Sequence, residues 1–203
     1  MEESAELYLL RFRYGRAVDV LCAYNTFLHK EIKYGTKNVC KDRKQVEDIT
    51  HTLLVVYYSY IYSMFDKNGT DFINVSAQYL EFLSQDGKIF RRELIEIWEK
   101  YKIPITILRN NVGFHGGSKI KSHDKGFDAL GDIHTYTADF IINHLALFFM
   151  EIDIIVPNEN YNINENHAYK KEKLLIRSKK LKDAIENDSF ADTVKSIREY
   201  FKE

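Results

Sequence analysis

The run Val46-Glu47-Asp48-Ile49-Thr50-His51-Thr52-Leu53-Leu54-Val55-Val56-Tyr57-Tyr58-Ser59-Tyr60-Ile61 decides the fold class of this chain. Val46, Ile49, Leu53, Tyr57 and Ile61 recur at steps of three and four, which stacks them on one face of an α-helix. Asp42 stands just upstream as an N-cap, and Asp66-Lys67-Asn68-Gly69 is a turn signal that ends the helix near Asp66. Upstream, a helix is expected from about Ser4 to about Lys33, with Gly15 as a weak point inside it and Gly35 suited to its end. Downstream, a short helix is expected around Ser76 to Ser84. Phe90, Leu94, Ile97, Trp98 and Tyr101 define an amphipathic helix beginning near Gly87.

Pro104 fits the first turn of a further helix, which carries Ile105, Leu108 and Arg109 and is ended by Gly116 and Gly117. A polar loop to about Gly126 follows, and then a long helix over roughly Phe127 to Ile155, closed by Pro157. Its apolar side is Leu130, Ile133, Phe140, Ile141, His144, Leu145, Phe148 and Phe149. Asn158 to Asn166 reads as an exposed linker, and a lysine-rich tail predicts helices over Ala168 to Asn187 and Phe190 to Phe201. With only two prolines in 203 residues, the pattern predicts an all-α protein. It is drawn as an up-and-down helical bundle over residues 1–157, with a linker and helical C-terminal appendage over 158–203.

Composition narrows the function classes. A net charge of -1 supplies no global attraction to nucleic acid, so any such binding comes from a local patch. Cys22 and Cys40 form neither a CxxC pair nor zinc spacing with histidines, which predicts idle or buried thiols. The apolar run near Phe140 to Val156 is interrupted by Asn143, His144, Glu151 and Asp153, too polar for a bilayer. The start Met1-Glu2-Glu3-Ser4 is acidic where a secretory signal is basic. A soluble, cytoplasmic protein is expected, with no membrane partner.

The chemistry concentrates in Ile107-Leu108-Arg109-Asn110-Asn111-Val112-Gly113-Phe114-His115-Gly116-Gly117. An arginine is a permanent planar cation matched to phosphate oxygens, and a histidine exchanges a proton near neutral pH. On a regular helix the six positions from Arg109 to His115 rotate by about 600°, leaving the side chains about 120° apart. Convergence therefore needs the reach of the arginine and a break near Gly113, where glycines also admit a phosphate backbone. Two structural alternatives stand beside this. An arginine at a helix end pairs with a carboxylate or caps carbonyls, and a histidine before Gly-Gly terminates a helix.

Arg109 to His115 resembles the motif of HEPN domains: an arginine, four to six residues, then a histidine, with a polar residue directly after the arginine. Asn110 fills that polar position. The resemblance covers about Ser4 to Val156, and the tail beyond Pro157 departs from compact members of the family. It implies a homodimeric, metal-independent endoribonuclease with two motifs facing across a cleft, needing no cofactor, and serving in defence, stress response or as a toxin with an antitoxin partner. On this chain it implies that His115 is the general acid/base, that Arg109 holds the scissile phosphate, and that Asn110 orients the phosphate or the histidine. The products implied are a 2′,3′-cyclic phosphate and a 5′-hydroxyl, with DNA resistant for want of the 2′-hydroxyl. The other reading is a non-catalytic module that binds nucleotide, RNA or a protein partner on the same helices.

Other candidates carry weaker signals. Lys119, Lys121 and Lys125, with His123 among them, are expected to hold RNA phosphates beside the cut, or to be a solvated loop. Tyr57, Tyr58, Tyr60 and Tyr62 cannot share one helix face and are expected to serve packing before base stacking. Asp48 and His51 have the spacing of a helical metal pair, but no second pair accompanies them, so no metal site is expected. His134 and His144 read as satisfied histidines within the long helix. Lys170, Lys171, Lys173, Arg177, Lys179, Lys180 and Lys182 read as a solvated face of the tail, or as a contact for RNA or an acidic partner.

Overall fold

A computed structural model of the chain describes residues 2–29, 33–34, 36–40, 42–112, 120–157 and 166–187. The protein is all-α. Among the described residues seven helices occur: α1 (Ala5–His29), α2 (Arg43–Phe65), α3 (Phe72–Ala77), α4 (Gln85–Asn111), α5 (Ile120–Gly131), α6 (Thr137–Ile155) and α7 (Asn166–Asn187). A two-residue antiparallel ladder, β1 (Lys33–Tyr34) with β2 (Lys37–Asn38), follows α1, pairing Lys33 with Asn38 and Tyr34 with Lys37. The tail helix expected at 190–201 and most of the expected linker lie outside the described residues.

The described residues form two compact units. One comprises Ala5–Phe72 and Lys102–Leu130. Here α1 packs along α2, burying Leu7, Leu10, Ala17 and Leu21 at helical spacing on the one and Val55, Tyr58, Ile61 and Phe65 on the other. Asp42 caps α2 by accepting the Gln45 N–H at 2.9 Å, and the helix ends at Phe65, as its sequence requires. Tyr57 and Tyr58 are buried edge to face, 5.0 Å between ring centres. Helix α1 runs straight through Gly15, around which a methyl group would meet nothing within 4 Å. Gly15→Ala is therefore expected to raise stability by about 0.5–1 kcal/mol, read as a higher urea midpoint at unchanged slope.

The other unit comprises Ile73–Tyr101 and the described residues from Gly131 onward, with the described part of 1–4. Its centre is α6, buried almost all round, including Phe140, Ile141, His144, Leu145, Phe148 and Phe149. Helix α7 packs on α6. Arg91 donates to the Ile73 carbonyl at 2.9 Å and to Ser76 Oγ at 2.7 Å, which ties α4 to α3. The short helix lies at Phe72–Ala77, upstream of the stretch its sequence suggested, because residues 78–80 bond three residues back, to the carbonyls of Val75, Ser76 and Ala77, in tighter turns.

Further boundaries differ from the sequence reading. No helix begins at Pro104; α4 passes through it. Leu94, Ile97, Trp98, Tyr101, Ile105 and Leu108 form one buried stripe at helical steps on both sides of the proline. Burying that stripe outweighs the single backbone hydrogen bond that proline removes. The expected polar loop up to Gly126 is helical from Ile120. Gly126 is a close-approach residue inside α5, since a methyl group there would lie 2.2 Å from Val112 Cγ2. The expected continuous helix over 127–155 is broken between Gly131 and Thr137. There His134 Nδ1 accepts the Tyr136 N–H at 3.2 Å and the His134 carbonyl accepts the Thr137 N–H at 2.9 Å. His134 thus sits in the break and not within a helix. The apolar positions keep helical phase across it, which is why periodicity alone reads through.

Candidate functional site

Arg109 occupies the last turn of α4 and is partly exposed. Its guanidinium carbon lies 4.7 Å from the centre of the Tyr62 ring on α2, a cation–π contact. Arg109 Nη1 donates to Asn110 Oδ1 at 3.0 Å. Among the described residues Arg109 has no carboxylate partner. Nor does it cap the helix: Asn111 Nδ2 donates to the Ile107 carbonyl at 2.7 Å, and the Val112 N–H reaches the Leu108 carbonyl at 2.9 Å. Both ordinary structural duties of a terminal arginine are thereby taken by other groups, or by none. Asn110 is exposed, and its amide oxygen orients Arg109.

Tyr62 is held in turn by Asp66, one helical turn on. Burial comes first and the Asp66 hydrogen bond second in pushing the Tyr62 phenol up from its ordinary value, with Arg109 pulling the other way. Asp66 is pinned as well, since its N–H reaches the Tyr62 carbonyl at 2.9 Å and its Oδ1 accepts the Asn68 N–H at 3.0 Å. Asp66, Tyr62, Arg109 and Asn110 thus follow one another in pairwise contact at the ends of two helices in one unit. The sequence marked Arg109 and Asn110; it offered no sign that Tyr62 was their support, because only the fold brings α2 to the end of α4.

His115 lies outside the described residues, as does Lys119, and the side chain of Lys121 is likewise outside them. Lys125 is exposed on α5, next to the glycine that abuts Val112 at the end of α4. His51 packs its ring 5.8 Å from Phe127, while Asp48 is exposed. No group of three or more His, Cys, Asp or Glu side chains with metal-binding geometry occurs among the described residues. Cys22 is exposed and Cys40 half-exposed, both as free thiols. No described helix is long and apolar enough to cross a membrane.

A second polar constellation, absent from the sequence reading, lies in the other unit. His144 Nε2 faces Glu93 Oε2 at 2.8 Å, its Nδ1 faces the Phe140 carbonyl at 3.2 Å, and Phe140 stacks on the ring at 3.8 Å. Lys182 of α7 donates to Glu93 Oε1 at 2.7 Å. Ser178 Oγ lies 2.9 Å from Nδ1 and 3.2 Å from Nε2 of the same imidazole. Nearly equal distances to both nitrogens put the hydroxyl over the ring and off either lone-pair axis. Serine, histidine and glutamate are therefore together here without the in-line proton path that activates a nucleophile.

A parallel cluster joins Lys171 to Glu151 at 2.7 Å and to Asp86 at 3.1 Å, with Ser84 donating to Glu151. Arg177 pairs with Asp139. Three of the tail's cations thus pair with carboxylates of α4 and α6; Arg177 and Lys182 stay 58% and 42% exposed at the side chain, as a solvated face expects, and that expectation fails only for Lys171, which lies against the buried Glu151. These contacts fasten α7 in place. Comparison with protein families, with known proteins and with solved structures returns no match for this chain.

Proposed function

We propose that the chain is a HEPN-like, metal-independent endoribonuclease acting as a homodimer. The observation that supports this reading is the state of Arg109: a guanidinium laid on an aromatic ring, tethered to Asn110, and paired with no carboxylate among the described residues. A guanidinium has five donors, and here Asn110 takes one, which leaves an edge suited to two oxygens of a phosphodiester. In this reading Arg109 holds the phosphate and offsets the charge that develops in the pentacoordinate transition state. His115 takes the proton of the ribose 2′-hydroxyl or protonates the leaving 5′-oxygen. Lys125, with Lys119 and Lys121, meets flanking phosphates. Activity as a toxin or defence effector, with an antitoxin as partner, belongs to the same proposal.

The test is cleavage of structured RNA in excess EDTA by the wild type, Arg109→Ala and His115→Ala. Wild-type cleavage to products ending in a 2′,3′-cyclic phosphate is expected, falling by at least about a hundredfold in each variant. Intact RNA with the wild type removes the nuclease reading. RNA that stays intact while bound leaves the non-catalytic binding module.

A further inference from the structure

We infer that Tyr62 is a positioning residue for the phosphate contact: a flat shelf that fixes the plane of the Arg109 guanidinium and turns its free edge outward. This rests on the reading of Arg109 as the phosphate-holding group.

Two contacts define the orientation. The Tyr62 ring, 4.7 Å below the guanidinium carbon, sets the plane, and Asn110 Oδ1, 3.0 Å from Nη1, sets the rotation within it. A long arginine side chain otherwise samples many rotamers, an entropy that a ligand would have to overcome at the moment of binding. The shelf settles that ordering in the free protein, which is preorganisation in its usual sense.

Asp66 makes the shelf better than a bare ring. Its carboxylate accepts the Tyr62 hydroxyl hydrogen, enriching the ring that faces the cation. The acidic charge acts through the ring and not by contact, so Arg109 gains a negative neighbour without surrendering its donors. Both Tyr62 and Asp66 sit on the well-capped C-terminal end of α2, where the Asp66 N–H to Tyr62 carbonyl bond holds their spacing. A tyrosine in this place therefore does what phenylalanine does only in part and leucine not at all.

The experiment compares the full-length wild type with Tyr62→Phe, Tyr62→Leu, Arg109→Ala and the Tyr62→Leu/Arg109→Ala double variant. Affinity is read from anisotropy of a fluorescent RNA oligonucleotide, and cleavage is followed in EDTA. Tyr62→Phe is expected within about threefold of the wild type and Tyr62→Leu about tenfold weaker. The double variant is expected to be no worse than Arg109→Ala, because the shelf acts only through the arginine. A purely structural role would instead lower the melting temperature of Tyr62→Leu and add its penalty to that of Arg109→Ala. Additive penalties, or a Tyr62→Leu variant that binds and cuts like the wild type, overturn the inference.

The ultraviolet titration of the Tyr62 phenol, taken as the difference between chains with and without Tyr62→Phe, gives a readout independent of RNA. Arg109→Ala is expected to push that phenol further up, since the guanidinium favours the phenolate. A titration unmoved by Arg109→Ala refutes the shelf whatever the RNA does. A titration that moves while wild-type protein neither binds nor cuts RNA refutes the phosphate role through failure of the ribonuclease reading, with the shelf itself intact.

Discussion

Glu93→Ala is expected to cost about 3–5 kcal/mol of folding stability, the loss that follows when one member of a buried charged group is deleted. Glu93 is mostly covered, 15% exposed at its side chain, and serves two donors at once: His144 Nε2–H at 2.8 Å and Lys182 Nζ at 2.7 Å. Alanine leaves the imidazole, 2% exposed, with only the off-axis Ser178 hydroxyl near Nε2, and loosens the lysine that ties α7 to α4. Equilibrium urea unfolding measures the loss. A midpoint within error of the wild type would mean that solvent reaches the cluster and the pairing contributes little.

The same carboxyl gives this prediction a pH signature. The hydrogen bond from His144 comes first in holding Glu93 at about 2, aided by Lys182 and opposed by burial, against 4.5 for an unperturbed glutamate. An acid whose folded value is depressed contributes stability that is present above its unfolded value and lost as pH falls through the folded one. The contribution, on the order of 3 kcal/mol, therefore stands in full above pH 4.5 and disappears towards pH 2. Glu93→Gln keeps the shape and removes the titration. The stability gap between wild type and Glu93→Gln is expected to narrow as pH drops through that window, and a constant gap would contradict the assignment.

At the alkaline end the sign reverses. Lys182 is raised chiefly by its hydrogen bond to Glu93 against burial, and Lys171 is raised by Glu151 and Asp86, which together outweigh a larger burial effect. A raised lysine stabilises below its unfolded value and ceases to do so as pH climbs through its folded one.

The sequence announced the helices through local chemistry and hid the contacts that depend on distant partners. Helix α2 was legible at both ends because Asp42 and the Asp66-to-Gly69 turn act on their own neighbours. The break at residues 132–136 was not, because Ile133 and Phe140, seven positions apart, stay in helical phase across it while His134 binds the backbone. Pro104 misled in the opposite direction, since a buried stripe on either side overrode a strong local signal. At the site, Arg109 and Asn110 stood out by residue type alone. Tyr62 is separated by tens of residues from Arg109, as are Glu93, His144 and Lys182 from one another, and no spacing rule connects them. Lys171 looked solvated because its carboxylate partners belong to α4 and α6.

The turn that closes α2 ties stability to the site. A methyl group on Gly69 would stand 2.1 Å from the Ser63 carbonyl oxygen and 3.1 Å from the Asp66 carbonyl oxygen, both backbone atoms with no rotamer to yield. The Ser63 oxygen already accepts from the Thr70 N–H at 2.9 Å, from Arg13 Nη1 at 2.5 Å and from Thr70 Oγ1 at 3.2 Å. Relieving the clash by moving that carbonyl disrupts all three, and moving the turn breaks the Gly69 N–H to Asp66 carbonyl bond of 2.8 Å. Gly69→Ala is therefore expected to cost about 3 kcal/mol or more, while Gly15→Ala in the same background moves stability the other way.

Asp66 shifts with the turn. Its grip on the Tyr62 hydroxyl is then expected to weaken, and the Tyr62 phenol to fall back towards its ordinary value. Thermal unfolding and the Tyr62 titration, measured on the same variant, examine both halves. A Gly69→Ala chain as stable as the wild type would show that the turn opens without cost. A destabilised chain with an unmoved Tyr62 titration would show instead that Asp66 is held from α2 alone, and that the shelf under Arg109 is insulated from the loop beside it.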